Sequence, residues 1–155
     1  MAGGQTANRD SGDGNGGPPV ATPTIDHVGI LVRDADAVIR YLRDTFHMPL
    51  VSDEHVPAAG VRLAYVDAGS IFLQIVEPAA IGPLRDDLDR YGEGLHHLCF
   101  AAPNLEAAIA ALAPERQAAI RMGGRGRRTV FLPPQPHGLR IELTERNPVV
   151  KADEA

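Results

Sequence analysis

The sequence holds a single cysteine, Cys99, so no disulfide can form within the chain. No apolar run approaches the roughly eighteen residues of a membrane-spanning helix, and no apolar segment follows Met1, so neither a membrane anchor nor a secretory signal is expected. Positive charge is also in short supply. The 15 Lys and Arg are outnumbered by 20 Asp and Glu, for a net charge of -5, which argues against nucleic acid or an anionic membrane as partner, since both are held by clustered positive potential. The expectation left is a soluble cytoplasmic protein with a small-molecule partner. Its 155 residues suit one domain with a real hydrophobic core.

The opening segment, MAGGQTANRDSGDGNGGPPVATPT, is rich in Gly and small polar residues and cannot offset the entropy of ordering, so residues 1–24 are expected to be a disordered tail. The end, residues 147–155, reads as a second tail. A single domain is expected over 25–146.

Within it the sequence reads twice in the same order. IDHVGILV (25–32) is an apolar, β-branched strand, and DADAVIRYLRDTF (34–46) is a helix with Asp34 as N-cap and Ala37, Val38, Tyr41 and Leu42 at helical spacing. VRLAYVDAG (61–69) and SIFLQIVEP (70–78) then read as two strands meeting near Gly69. In the second half, LHHLCFAAP (95–103) is a strand and NLEAAIAAL (104–112) a helix capped by Asn104 and ended by Pro114. RRTVFLP (127–133) and LRIELTE (139–145) follow as strands. The two modules are 25–78 and 95–145.

Displacing one half by 70 residues lays His27 on His97, and the last strands align with a slip of two that lays Gln74 on Glu142. Four side chains able to bind a metal thus occupy two equivalent pairs. Gln74 and Glu142 sit in otherwise apolar runs, where an amide and an acid need partners. Two modules related by an approximate two-fold axis would aim all four into a shared cleft. A histidine opening a strand is, taken singly, more often a packed or surface residue than a ligand; the repeat is what raises His27 and His97 above that reading.

On IDHVGILV, the VPAAGV segment, GEGLHHLCF and the terminal IEL, the chain resembles the vicinal oxygen chelate (glyoxalase/bleomycin resistance/dioxygenase) superfamily, and within it the methylmalonyl-CoA epimerases. The resemblance implies an α+β fold of two βαβββ modules forming a curved mixed sheet around a metal-binding cleft. It implies His27, Gln74, His97 and Glu142 as metal ligands, with His96 on the opposite face as a packing or hydrogen-bonding residue. Cys99 has the parity of His97 and is expected to be a buried, inert thiol. Two imidazoles, an amide oxygen and a carboxylate leave two octahedral positions open, which suits Co(II), Mn(II), Ni(II), Fe(II) or Mg(II) better than a closed tetrahedral zinc site.

The implied activity is a metal-dependent epimerase or isomerase of an acyl-CoA-like substrate working through a metal-stabilised enolate, with Glu142 as ligand and base. The resemblance also implies a homodimer. Two departures stand out. The second proton-transferring carboxylate of the epimerases falls on Leu63, leaving water, His55, Glu54 or Tyr65 to serve the other face. The segment leading into RRTVFLP is short and rich in arginine: Arg125, Arg127 and Arg128, with Arg121 nearby, are read either as an anion clamp for CoA phosphates or as a solvated turn. His137 is read as an exposed turn. The alternatives are a glyoxalase I-like lyase, a secondary-metabolism isomerase or cyclase on the same scaffold, and, from a different class, a metal-free drug-binding resistance protein.

Overall fold

The first strands of the two halves pair with each other, and that pairing organises the sheet. A computed structural model describes residues 23–112, 119–134 and 136–146, with only the backbone of residue 137. The first module runs β1 (Thr24–Leu31), α1 (Ala35–Phe46), β2 (Leu50–Val56), β3 (Val61–Asp67) and β4 (Phe72–Pro78). A connecting helix, α2 (Pro83–Tyr91), leads to the second module: β5 (Gly94–Ala102), α3 (Leu105–Leu112), β6 (Arg121–Met122), β7 (Arg128–Phe131) and β8 (Ile141–Glu145). The eight strands lie in the order β2-β3-β4-β1-β5-β8-β7-β6, so each half is βαβββ and the order reads alike from either end. The fold is α+β, with two such modules in one mixed sheet.

The internal two-fold can be located in the register. β1 and β5 are antiparallel with Val28 opposite Leu98, its counterpart 70 residues on. About that point His27 lies opposite Cys99 and Gly29 opposite His97. The outer neighbours obey the same relation, since β1 is parallel to β4 with Gly29 beside Gln74, and β5 is parallel to β8 with Cys99 beside Glu142. The two modules therefore pair within one chain, and the repeat in the sequence is a repeat in space.

α1 packs on the convex face, where Ala35, Ile39 and Leu42 meet Val32, Ala64, Val66 and Ile75. Its expected buried stripe shifts by a residue or two: Ala37 and Tyr41 are exposed, because the helix docks through Ala35 and Ile39. Asp34 caps it by accepting a hydrogen bond from the Ala37 N–H at 2.9 Å, a contact of about 1 kcal/mol. Asn104 caps α3 in the same way through the Ala107 N–H at 2.8 Å. On the second module α3 covers Phe100, Ala102, Val130 and Leu143.

Three elements go beyond the sequence expectation: β2, α2 and β6. β2 is an edge strand and β6 has two residues, while α2 buries only Leu88 completely, so each carries too little apolar periodicity to read. Thr24, placed in the tail by the sequence, opens β1. Residues 1–22 and 147–155, Pro114 and the side chain of His137 lie outside the described residues.

Strict alternation would set His96 and His97 on opposite faces. The register passes from Gly29 opposite His97 to Ile30 opposite Leu95, leaving His96 as the extra residue of a β-bulge. A second bulge, between the Ile25 and His27 pairs, leaves Asp26 unpaired in the same way. These two residues occupy matching positions in the repeat. The bulge corrects the expected facing of His96, which lines the same cavity as His97 and Glu142.

Candidate metal centre

Among the described residues, the buried polar side chains are His27, Gln74, His97, Glu142 and two threonines, Thr129 and Thr144. Four of the six are the residues that the repeat singled out. They converge because β1, β4, β5 and β8 are adjacent and each contributes a position on the concave face.

His27 Nε2, His97 Nε2 and Glu142 Oε2 form a triangle with all three edges 3.2 Å long. Glu142 Oε2 is buried and accepts no hydrogen bond. The other carboxylate oxygen, Oε1, accepts from the Thr129 hydroxyl at 2.6 Å, which orients Glu142 so that the unpartnered oxygen faces the two rings. Gln74 donates its amide N–H to the Tyr65 hydroxyl at 2.6 Å, leaving the amide oxygen as the atom available for a ligand. Burial pushes the Tyr65 phenol up to about 12, so it remains a neutral partner.

An orphaned carboxylate oxygen facing two imidazole nitrogens is an arrangement that a protein without a cation has reason to avoid. The donor set fits a divalent metal: two imidazole nitrogens and one carboxylate within reach of one another, with Gln74 on the neighbouring strand. Burial by itself would raise the Glu142 carboxyl, but the two imidazoles beside it hold it well below the usual carboxylate range, so it is ionised and ready to ligate. Cys99 is fully buried and burial pushes its thiol up, which makes it inert as expected.

The ring nitrogens turned away from the triangle are also held. His27 Nδ1 lies 2.7 Å from Asp26 Oδ2, and His97 Nδ1 lies 2.9 Å from His96 Nδ1. Burial, with Arg140 and His97 nearby, pushes His96 down to about 4, so it is a neutral imidazole, also in contact with Arg140 Nη1. Asp26 and the bulges are what sequence reasoning misses; the signal is the residue before each of the two paired histidines, at 26 and 96.

The cluster opens to a cavity of about 980 Å3. Val61, Leu63 and Val76 form one wall, with Gln74, His97 and Glu142 at the polar end. The proton carriers considered for the second face are placed elsewhere or masked by their contacts: His55 is exposed on β2, Glu54 accepts from the Arg125 N–H, and Tyr65 is engaged by Gln74. Neither Glu54, His55 nor Tyr65 lines the cavity, whereas Leu63 does.

The expected anion clamp of Arg125, Arg127 and Arg128 also needs correction. Arg125 Nη2 donates to Asp26 Oδ2 and Arg127 Nη1 to Asp26 Oδ1, while Arg128 is held by Glu145 and Glu106. None of the three lines the cavity, because carboxylates of the chain itself draw their guanidinium groups away. Arg85, Arg121 and Arg140 line it instead.

Comparison with known proteins agrees with this architecture. Residues 26–131 match the model of the Glyoxalase/Bleomycin resistance protein/Dioxygenase superfamily. The uncharacterized protein YqjC of Bacillus subtilis is 29% identical over 127 residues, covering 78% of this chain and 91% of that one. Methylmalonyl-CoA epimerase from Mycobacterium tuberculosis is 29% identical with a TM-score of 0.73, covering 80% of this chain and 88% of its own. A Streptomyces coelicolor methylmalonyl-CoA epimerase variant in complex with 2-nitronate-propionyl-CoA is 31% identical with a TM-score of 0.70, covering 78% and 92%. The two βαβββ modules, their paired first strands and the family match lead to one assignment: the chain belongs to the glyoxalase/bleomycin resistance/dioxygenase superfamily.

Proposed function

We propose that this protein is a metal-dependent enzyme that labilises the α-proton of a small acyl-CoA-like acid, as a methylmalonyl-CoA epimerase does. The observation that carries the reading is the triangle of His27 Nε2, His97 Nε2 and Glu142 Oε2 at the polar end of a cavity, with Glu142 Oε2 lacking any hydrogen bond. His27, Gln74, His97 and Glu142 would hold a divalent cation such as Co(II), Mn(II), Ni(II), Fe(II) or Mg(II). Bound there, it would supply Lewis-acid stabilisation of the negative charge that develops on substrate oxygens as the proton leaves.

The chain's own groups do the rest. Glu142 accepts the proton, and Thr129 fixes its orientation. Arg85 and Arg121 give the cavity positive charge for an anionic substrate, whereas Arg140, also in its lining, is paired with Asp87. The hydrocarbon wall of Val61, Leu63 and Val76 excludes water beside the reacting carbon. The similarity to methylmalonyl-CoA epimerases supports the choice of substrate class. The reading includes a cytoplasmic homodimer, which sedimentation would detect; among the described residues no helix is long and apolar enough to cross a membrane.

Leu63 favours a second reading, in which Glu142 works on one face alone, as in an isomerase or glyoxalase I-like lyase on this scaffold. Proton NMR of the metal-reconstituted protein with methylmalonyl-CoA in D2O separates the two. Exchange of the α-proton with inversion supports the epimerase; exchange without inversion supports one-face chemistry. Firm metal binding with no exchange rejects this substrate, and failure to bind any divalent cation rejects the whole reading in favour of a metal-free binding protein.

A further inference from the structure

The two residues left unpaired by the β1–β5 bulges, Asp26 and His96, both reach the outer nitrogen of the histidine that follows them. The Asp26 side is anchored across the fold. Its carboxylate is 8% exposed and lies between two guanidinium groups: Arg125 Nη2 donates to Oδ2, and Arg127 Nη1 donates to Oδ1 at 3.1 Å. Both arginines come from the second module, more than 95 residues along the chain.

Arg125 has a second engagement. Its guanidinium carbon lies 4.3 Å from the centroid of the Tyr65 ring and 4.9 Å from that of Phe72. Tyr65 is the residue whose hydroxyl accepts from Gln74. One side chain therefore supports both metal-binding residues of the first module, His27 through Asp26 and Gln74 through Tyr65.

The turn that presents Arg125 is shaped for this contact. Arg125 has φ 58 and ψ 27, a left-handed conformation unfavourable for a residue with a Cβ, and its N–H is held by Glu54 Oε1 at 2.5 Å. Gly124 allows the close approach: a Cβ there would come 2.4 Å from the Tyr65 oxygen.

We infer that Asp26 is the positioning residue of His27, and that Arg125 positions Asp26 and Gln74 together, so that the Gly-Gly-Arg-Gly turn of the second module fixes both donors of the first. The inference rests on the metal-binding reading above. A histidine that ligates through Nε2 keeps its proton on Nδ1, and a carboxylate accepting that proton's hydrogen bond sets both tautomer and ring rotation. The arginines make a buried carboxylate tolerable at that position.

The test is Co2+ affinity of the full chain, measured by competition with a chromophoric chelator, together with the visible spectrum of the Co2+ complex. Asp26→Asn and Arg125→Ala are each expected to weaken Co2+ binding by about 10- to 100-fold and to alter the spectrum. Asp26→Glu should recover part of the loss, and Arg128→Ala should leave both readouts unchanged. A folded Asp26→Asn protein with wild-type affinity and spectrum overturns the role of Asp26. Should Asp26→Asn fail to fold, leaving two buried arginines without their partner, Arg125→Met decides: unchanged affinity and spectrum overturn the inference. Wild-type protein that binds no divalent cation overturns the metal-binding reading itself, whereas firm binding by wild type and Asp26→Asn alike overturns only the inference.

Discussion

Gly29 stands across the β1–β5 pair from His97, and its missing side chain makes room for the imidazole: a Cβ at Gly29 would come 2.1 Å from His97 Cε1 and 2.3 Å from Nδ1. The requirement is one of space, since both the ring and the strand pairing behind it are fixed. Gly29→Ala should displace the His97 ring, lower Co2+ affinity at least tenfold and destabilise the protein by about 1–3 kcal/mol, as overpacking does. Chelator competition and chemical denaturation measure the two effects. Wild-type affinity in that variant would place His97 outside the ligand set.

The adjacent histidines should separate cleanly in a metal assay. His97→Ala removes a nitrogen from the triangle and is expected to abolish stoichiometric metal. His96→Ala removes only the partner of Nδ1 and should retain metal with an affinity reduced by about tenfold. Metal analysis after gel filtration reads the difference, and equal loss in both variants contradicts the assignment.

Glu142→Gln keeps an oxygen in place but no base. Partial metal retention without solvent deuterium entering the substrate is the expected outcome; undiminished exchange would remove Glu142 from proton transfer. Leu63→Glu is the complementary change. Leu63 lines the cavity, so a carboxylate there should add a proton carrier and raise the ratio of inversion to exchange, at a stability cost of a few kcal/mol from replacing a buried leucine.

Metal removal should make stability depend on pH in a definite direction. In the metal-free chain burial acts to lower His27, but Asp26 and Glu142 prevail and its pKa is raised above 6.5. A group raised on folding contributes its stabilisation fully below the unfolded value and loses it as pH rises through the folded one. Metal-free protein should therefore lose this stabilisation upward from about pH 6.5. A cation occupying the place of the proton should give a stabilisation that grows over the same interval. Thermal unfolding across that range, with and without Co2+, checks it; a metal effect that shrinks with rising pH would contradict it.

Much of this arrangement was legible beforehand because the duplicated pattern exposed it. Gln74 and Glu142 draw no notice alone, yet their matching positions in the repeat mark them as a pair, and both are buried, on the strands beside Gly29 and Cys99. What could not be read were features that break periodicity. The bulges at Asp26 and His96 defeat strict alternation, so periodicity turns His96 to the wrong face and hides the contact of Asp26 with His27. Arg125 and Arg127 suggest an external anion because their internal partner, Asp26, lies about a hundred residues away in sequence. α2 carries one completely buried residue and announces itself by no stripe.

The point where Val28 faces Leu98 has one more implication. A module of this kind paired with an identical copy of itself would be bound to present the same donors on both sides of the axis. Joining the two in a single polypeptide lifts that constraint. Gln74 and Glu142 have used the freedom: equivalent places in the architecture hold a neutral amide and an anion, so the centre carries a chemical left and right that a symmetric assembly of single modules could not possess.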